Sequence, residues 1–328
     1  MKTSLWSLAS RYVPAGLAHD LARPAFLARA CLAPESGRRW RSFLWNGLEF
    51  RNPFGVAGGF DKNCEMGASF QSLGAGFHEV GTITPLPQKA NPGRILMRDH
   101  KRRNLWNRMG FPNRGAEEAA YQLKKVRNSL RLPLFVNIGK NRSTPLSEAA
   151  RDYQTCAQLL KDYADVFVVN ISSPNTPHLR SLQNLEDVQR IWSAVKEVSD
   201  RPVLLKLSPD LLWTELTEIV CSCADWGVQG FVLTNTSIFR PPGSPFPAEG
   251  GLSGKDLRSL SRFALEESLR ALGPRRQKLL LVSVGGIENL EEAKGRLDLG
   301  ADLVQMYSAF AFQGPGLILN WLDELGVH

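Results

Sequence analysis

Cysteine is scarce in this chain. Five thiols in 328 residues, at Cys31, Cys64, Cys156, Cys221 and Cys223, make an odd set with no CxxC pair and no cysteine–histidine spacing of a zinc site. That argues against a disulfide-stapled scaffold and a structural zinc module, and it suits reduced thiols in a cytoplasmic compartment. Cys221 and Cys223, two apart in a helical pattern, are expected to face different ways. Long apolar runs are missing too: none approaches the roughly 20 residues that a membrane-spanning helix needs. The opening "MKTSLWSLASRYVPAGLA" has its apolar residues interrupted by Ser, Arg and Pro, so no secretory signal is expected. No nucleic-acid-binding motif is present, and no arginine-rich helix is long enough to fill a groove, so nucleic acid is not an expected partner.

Charge is present in excess of one sign. Lysine and arginine (40) outnumber aspartate and glutamate (32), with dense basic clusters in "GRRWR" (37–41) and "RDHKRRNLWNR" (98–108). Such clusters suit an anionic ligand or lipid surface, or are simply solvated.

From about residue 50, short β-like runs alternate with amphipathic stretches. The runs are 54–57, 77–83, 134–138, 166–171, 203–207, 230–235, 279–284 and 302–307. Most are unbroken apolar runs, as in strands buried on both faces of a parallel sheet. Helical patterns fall between them, at 64–74, 114–129, 147–163, 185–199, 211–226, 255–272 and 289–299, with a last one near 315–325. Ser208-Pro209-Asp210 and Asn289 stand where N-caps belong, and Gly227, Gly273 and Gly300 where helices stop. Eight such units predict an α/β fold, a (β/α)8 TIM barrel, with chemistry at the C-terminal ends of the strands. Residues 1–45 lie outside the pattern and predict a helical extension of two short helices broken at Pro14 and Pro24, with an apolar stripe and arginines around it. That extension is either a cap on the barrel or an interfacial patch.

The strand ends carry a consistent chemistry. Asn107, Asn137, Asn170, Asn175, Thr234, Asn235 and Thr236 supply uncharged amides and hydroxyls, which suit a planar heterocycle with its own N–H and C=O edge. "VSVGGI", "GGLSGK" and the turn at Tyr307 and Ser308 offer unobstructed backbone amides for a phosphate. Lys206 lies inside the fifth strand, where an ammonium needs a negative partner: a structural carboxylate or the edge of a reduced flavin.

The motifs "NPFGVAGGFDKN", "EVGTITPLPQ", "NRMGFPNRG", "VNIGKN", "VVNISSPNTPHLRSLQ", "TNTS", "GGLSGKDLR" and "GADLVQMYSAF" occur in order over nearly the whole chain. Together they resemble the membrane-associated, quinone-dependent class of dihydroorotate dehydrogenase. The resemblance implies oxidation of dihydroorotate to orotate for pyrimidine biosynthesis, with FMN reoxidised by a membrane quinone. It implies Ser173 as the catalytic base, and Lys62, Asn107, Phe111, Asn170, Asn175, Asn235 and Thr236 as substrate-binding residues. For FMN it implies Ala57, Gly58, Gly59, Thr82, Asn137, Asn170, Lys206, Thr234, Ser253, Gly254, Gly285, Gly286, Tyr307 and Ser308.

Residues 1–45 would form the membrane-facing quinone entrance, with His19 and Arg98 along its tunnel, and residues 46–328 the FMN-binding barrel. No metal is implied. The expected location is peripheral, on the cytoplasmic face of a bacterial inner membrane, with the mitochondrial inner membrane as the alternative. Soluble relatives place a cysteine where Ser173 stands.

Some positions depart from the family pattern. Gly58 stands where alanine is more common, Pro112 where a polar residue is, and Trp106 is bulkier than the usual aliphatic residue. Two alternatives are another FMN-dependent barrel oxidoreductase that acts on a pyrimidine with a different electron acceptor, and a degenerate barrel kept for binding alone. Lys62, Asn107, Ser173 and Lys206 argue against the second. The "TPHLR" segment after Ser173 is expected to act as a lid over substrate.

Overall fold

Eight parallel strands close into a barrel: β3 (Phe54–Asp61), β4 (Phe77–Ile83), β7 (Leu134–Ile138), β8 (Val166–Asn170), β9 (Val203–Leu207), β10 (Gly230–Leu233), β12 (Leu280–Val284) and β13 (Leu303–Met306), which pairs back onto β3. This computed structural model describes Trp6, residues 15–32 and residues 37–327, with only the backbone for 15–22. The predicted (β/α)8 architecture is borne out. Helices α2 (Gly67–Ser72), α3 (Ala116–Val126), α4 (Ala149–Leu160), α5 (Leu185–Val198), α6 (Trp213–Trp226), α7 (Arg258–Leu272) and α8 (Leu290–Leu299) follow successive strands, and α9 (Ser308–Gln313) and α10 (Leu317–Glu324) close the chain.

The two-residue period of the strands sorts each apolar run between two cores. In β8, Val166 and Val168 point into the barrel, whereas Phe167 and Val169 pack against the helices. A hairpin, β1 (Phe43–Trp45) with β2 (Leu48–Phe50), carries Phe50 to the N-terminal mouth of the barrel. There Phe50, Phe77 and Phe135 meet with ring centroids 5.0–6.2 Å apart. All three are fully buried, each worth about 2–3 kcal/mol of transfer free energy. Gly55 leaves room for the Phe77 ring. Apolar packing thus seals the bottom of the barrel interior.

Three features differ from expectation. The helix α1 (Ala15–Cys31) runs through Pro24 rather than breaking there. Phe26 is fully buried against Phe60, Phe70 and Phe310, with centroids at 4.9, 5.4 and 5.8 Å, and this packing offsets the hydrogen bond that proline removes. Pro14 lies outside the described residues. The segment Ser208–Asp210 does not cap α6: the Leu212 amide instead donates to Glu215 Oε2 at 3.0 Å, and Asp210 is engaged elsewhere. Asn289 does cap α8, its Oδ1 accepting from the Glu292 amide at 2.8 Å.

The third is an antiparallel sheet beside the barrel mouth, β5 (Leu96–Asp99), β6 (Asn104–Asn107) and β11 (Gly251–Gly254), built from two separate barrel loops. Several arginines in and beside the basic clusters form ion pairs within the chain. Arg103 pairs with Glu288 at 2.6 Å, Arg108 with Glu249 at 3.0 Å, Arg38 with Asp323 at 2.5 Å and Arg41 with Asp298 at 2.8 Å.

Candidate active site

The C-terminal ends of the strands surround an open cavity with about 1060 Å³ of non-atom space, its solvent-filled mouth included. Residues from Ala57 to Ser308 converge there because each sits near the end of a strand or in the loop after it. Ala57, Gly58, Gly59 and Lys62 come from β3, Thr82 from β4, Asn137 from β7, Asn170, Ser173 and Asn175 from β8 and its loop. Lys206 comes from β9, Thr234, Asn235 and Thr236 from the end of β10, and Ser253 and Gly254 from β11. Gly285, Gly286, Tyr307 and Ser308 follow β12 and β13, and Asn107 and Phe111 come from β6 and its loop. The peptide bonds Gly81–Thr82 and Leu233–Thr234 are cis.

The asparagines form a net of two hydrogen-bonded groups, one around Asn170 and one joining Asn175 to Asn107. Asn170 Nδ2 donates to Thr82 Oγ1 at 3.0 Å and Asn137 Oδ1 at 3.3 Å. Asn235 Nδ2 donates to Asn170 Oδ1 at 3.2 Å and Ser172 Oγ at 3.0 Å. Asn175 Nδ2 donates to Asn107 Oδ1 at 2.7 Å. These bonds fix which amide atom faces which neighbour, the preorganisation that recognition of an N–H/C=O edge requires. Four buried side-chain oxygens find no partner among the described residues: Asn175 Oδ1 and Gln305 Oε1, of residues that line the cavity, Thr176 Oγ1 in the loop after β8, and Ser268 Oγ in α7. Such atoms cost free energy unless a ligand or water meets them.

Ser173 is buried, and its Oγ accepts from the Asn175 amide at 3.2 Å. Its neighbour Ser172 is structural, joining Asn170 to Asn235 through its hydroxyl. The backbone around Ser173 is pinned by Arg180, whose Nε donates to Ser172 O at 2.9 Å and Nη2 to Thr236 O at 2.7 Å, while Nη1 meets Asp210 Oδ2 at 2.6 Å. Burial draws the Arg180 pKa down, opposed by Asp210. The segment expected to be a lid is therefore clamped at Arg180, with Leu179 and Leu182 buried behind it.

Phe111 adopts φ 55°, and Gln88 Nε2 holds the carbonyls of Gly110 and Phe111 at 2.9 and 3.1 Å, so the turn before Pro112 is fixed by side-chain donors. Trp106 points away from the cavity, since Leu105 and Asn107 take the inward positions of β6. It packs on Phe246 and Leu252 with Nε1 donating to Glu249 O. Its bulk does not narrow the site. Burial raises the Tyr307 hydroxyl to about 12, so it stays protonated. Arg98, in β5, is half-buried, and burial lowers its pKa. Arg98 does not line the cavity, and the His19 side chain lies outside the described residues.

The family model for dihydroorotate dehydrogenase matches residues 43–327. The chain belongs to the dihydroorotate dehydrogenase family. A dihydroorotate dehydrogenase (quinone) of Thermus thermophilus is 45% identical over 272 residues, covering 82% of this chain and 78% of the relative. One of Vibrio parahaemolyticus is 40% identical over 291 residues, covering 85% of each. The solved structure of the Eimeria tenella enzyme in complex with ferulenol is 31% identical, with a TM-score of 0.85 over 94% of this chain and 90% of that one.

Sequence reasoning missed Glu79, Thr176 and Gln305. Glu79 had a signal: an acid inside an apolar strand run, as Lys206 is a base inside another. The structure joins them at 2.8 Å.

Proposed function

We propose that this protein oxidises dihydroorotate to orotate with FMN as its flavin, taking the hydride on one face of the pyrimidine and the proton on the other, and that a membrane quinone is the final acceptor. Family membership implies a flavin; that it is FMN, and the role of each residue, is our reading. The observation that carries it is the convergence of Lys62, the asparagine net, Ser173 and Lys206 on one cavity.

The residues fit the cofactor. Gln305 Oε1 is a buried acceptor with no partner among the described residues, and Gly285 and Gly286, at φ 123° and 70°, bring bare backbone to the cavity wall where side chains would collide with Ser261 and Arg258. Gly59, Thr82, Asn137, Lys206, Thr234 and Ser253 would hold the ring system and ribityl chain, and Gly254, Gly285, Gly286, Tyr307 and Ser308 the phosphate. Bound FMN supplies a hydride acceptor and stores two electrons for delivery to quinone.

The chain supplies the rest. Desaturating the C5–C6 bond removes a proton from C5 and a hydride from C6, so base and acceptor must meet the ring from opposite faces. Ser173 Oγ takes the C5 proton. A serine hydroxyl is a weak base at neutral pH, so the proton has to pass onward; the buried hydroxyl of Thr176, three residues on, is suited to receive it through water. Lys62 binds the substrate carboxylate as a point charge. Asn107, Asn170, Asn175 and Asn235 with Thr236 grip the ring edge, and Phe111 closes over it.

Support for quinone entry from the N-terminal side comes from the aromatic cluster under α1. Phe26 packs on Phe60, and Phe60 on Tyr307 at 5.3 Å, which itself lines the cavity. Trp6 Nε1 reaches Ala311 O at 3.2 Å. We infer a peripheral association with the cytoplasmic face of a bacterial inner membrane; no helix among the described residues is long and apolar enough to cross one.

Purified protein should be yellow, bleach with dihydroorotate without oxygen, and recolour with a quinone analogue. Ser173→Ala should keep FMN and orotate while losing most of the bleaching rate at neutral pH. A colourless protein, or recolouring by fumarate or NAD alone, would refute the assignment. Removal of residues 1–45 should spare bleaching and impair quinone turnover and vesicle binding.

A further inference from the structure

Directly behind the cavity, and not part of its lining, lies the carboxylate of Glu79, wholly buried. Its Oε1 accepts from Asn137 Nδ2 at 2.5 Å and Lys206 Nζ at 2.8 Å, and its Oε2 from Gln305 Nε2 at 2.7 Å. Those three partners come from three different strands, and every one of them lines the cavity. A methyl group at Gly58 would overlap Glu79 Oε1 and stand 3.1 Å from Asn137 Nδ2. Glycine at this position therefore makes room for the carboxylate against the cavity wall.

We propose that Glu79 is the positioning residue of the cofactor site: it sets the polarity of the surrounding amides and offsets the charge of Lys206. This rests on the flavin reading above. An ionised carboxylate only accepts hydrogen bonds, so it forces Asn137 and Gln305 to turn their NH2 groups toward it. Asn137 then presents Oδ1 to Asn170, and Gln305 is left with a buried Oε1 that has no partner among the described residues. One buried acid thus sets donor and acceptor directions from the barrel interior to the substrate net. Its charge acts too. A lone ammonium in a low-dielectric site strongly favours an electron-rich neighbour, and Glu79 cancels part of that field. The flavin is then held less oxidising than Lys206 alone would make it, which favours passing electrons on to an acceptor.

The test is the flavin midpoint potential of the holoenzyme. In Glu79→Gln, the reduced-to-oxidised ratio at a fixed ambient potential should rise about tenfold, a shift of about 30 mV for a two-electron couple. Gly58→Ala crowds the carboxylate away from the wall without removing it, and should shift the ratio in the same direction by about threefold. If Glu79→Gln does not fold or does not hold flavin, Gly58→Ala decides alone. An unchanged or lowered potential in a flavin-loaded variant overturns the proposal, and a fall in melting temperature without a potential shift means a structural role only. Wild-type protein that is colourless or indifferent to dihydroorotate removes the functional reading itself; wild-type bleaching with unmoved variant potentials removes only the role of Glu79.

Discussion

Arg180 Nη1 and Asp210 Oδ2 lie 2.6 Å apart, and each residue also bonds loop groups at the mouth of the barrel. Arg180 holds the carbonyls of Ser172 and Thr236, and Asp210 accepts from the Ser237 hydroxyl and, at 2.9 Å, from the Ile238 amide. The pair ties the Ser173 loop to the loops after β9 and β10. Arg180→Ala leaves a largely buried carboxylate without its ion partner and removes a donor from two carbonyls, at a cost of about 3 kcal/mol. A lower melting temperature is expected, with flavin reduction slowed more than substrate affinity is weakened. Asp210→Asn in the Arg180→Ala background should cost less than in wild type, which a double-mutant cycle measures.

Asn107 and Asn175 are joined at 2.7 Å, so the substrate contacts proposed for them should be coupled. Replacing either by alanine should raise the dihydroorotate KM about tenfold, the loss of one polar contact of about 1.4 kcal/mol. The double variant should be less than a hundredfold worse, because each single change already disorders its partner. Steady-state kinetics on the three variants checks this, and strict additivity would contradict it.

Acid stability should depend on Asp61. Burial pushes this carboxyl up, but the His78 hydrogen bond at 3.1 Å, the charge of His78 and the amides of Glu65 and Met66 outweigh it, leaving it below its ordinary 3.8. With the folded value depressed, its stabilisation is complete above the unfolded value and is lost as pH falls through the folded one. Melting temperature should fall steeply below about pH 4. In Asp61→Asn it should start lower at neutral pH and decline less on acidification.

Thiol reactivity should follow burial. Cys31 is exposed, whereas Cys64, Cys156 and Cys223 are buried with thiols pushed up by desolvation, Cys223 to about 12. A maleimide at neutral pH should modify Cys31 rapidly in native protein and the three buried thiols only after denaturation, which intact-mass spectrometry reads directly.

Much of the barrel is written in local pattern. A run such as "VFVVN" is buried on both faces wherever it lies, because a strand alternates sides every residue and both sides meet apolar neighbours. Residues after such runs reach the same rim by the geometry of parallel strands, so Lys62, Asn137, Asn170, Ser173 and Lys206 could be named as a group. The antiparallel sheet of β5, β6 and β11 could not, because its strands are short and pair segments from distant loops.

Composition and periodicity thus determined the barrel, its reduced thiols and the ring of amides and hydroxyls at its mouth, since each follows from chemistry within a few residues. Only the tertiary structure decided that Lys206 meets Glu79, 127 positions away, that Arg180 clamps the serine loop, that Trp106 turns outward, and that α1 survives Pro24 by burying Phe26. Those outcomes depend on which side chains are brought together across the barrel, where long-range charge pairing and packing outweigh local preference.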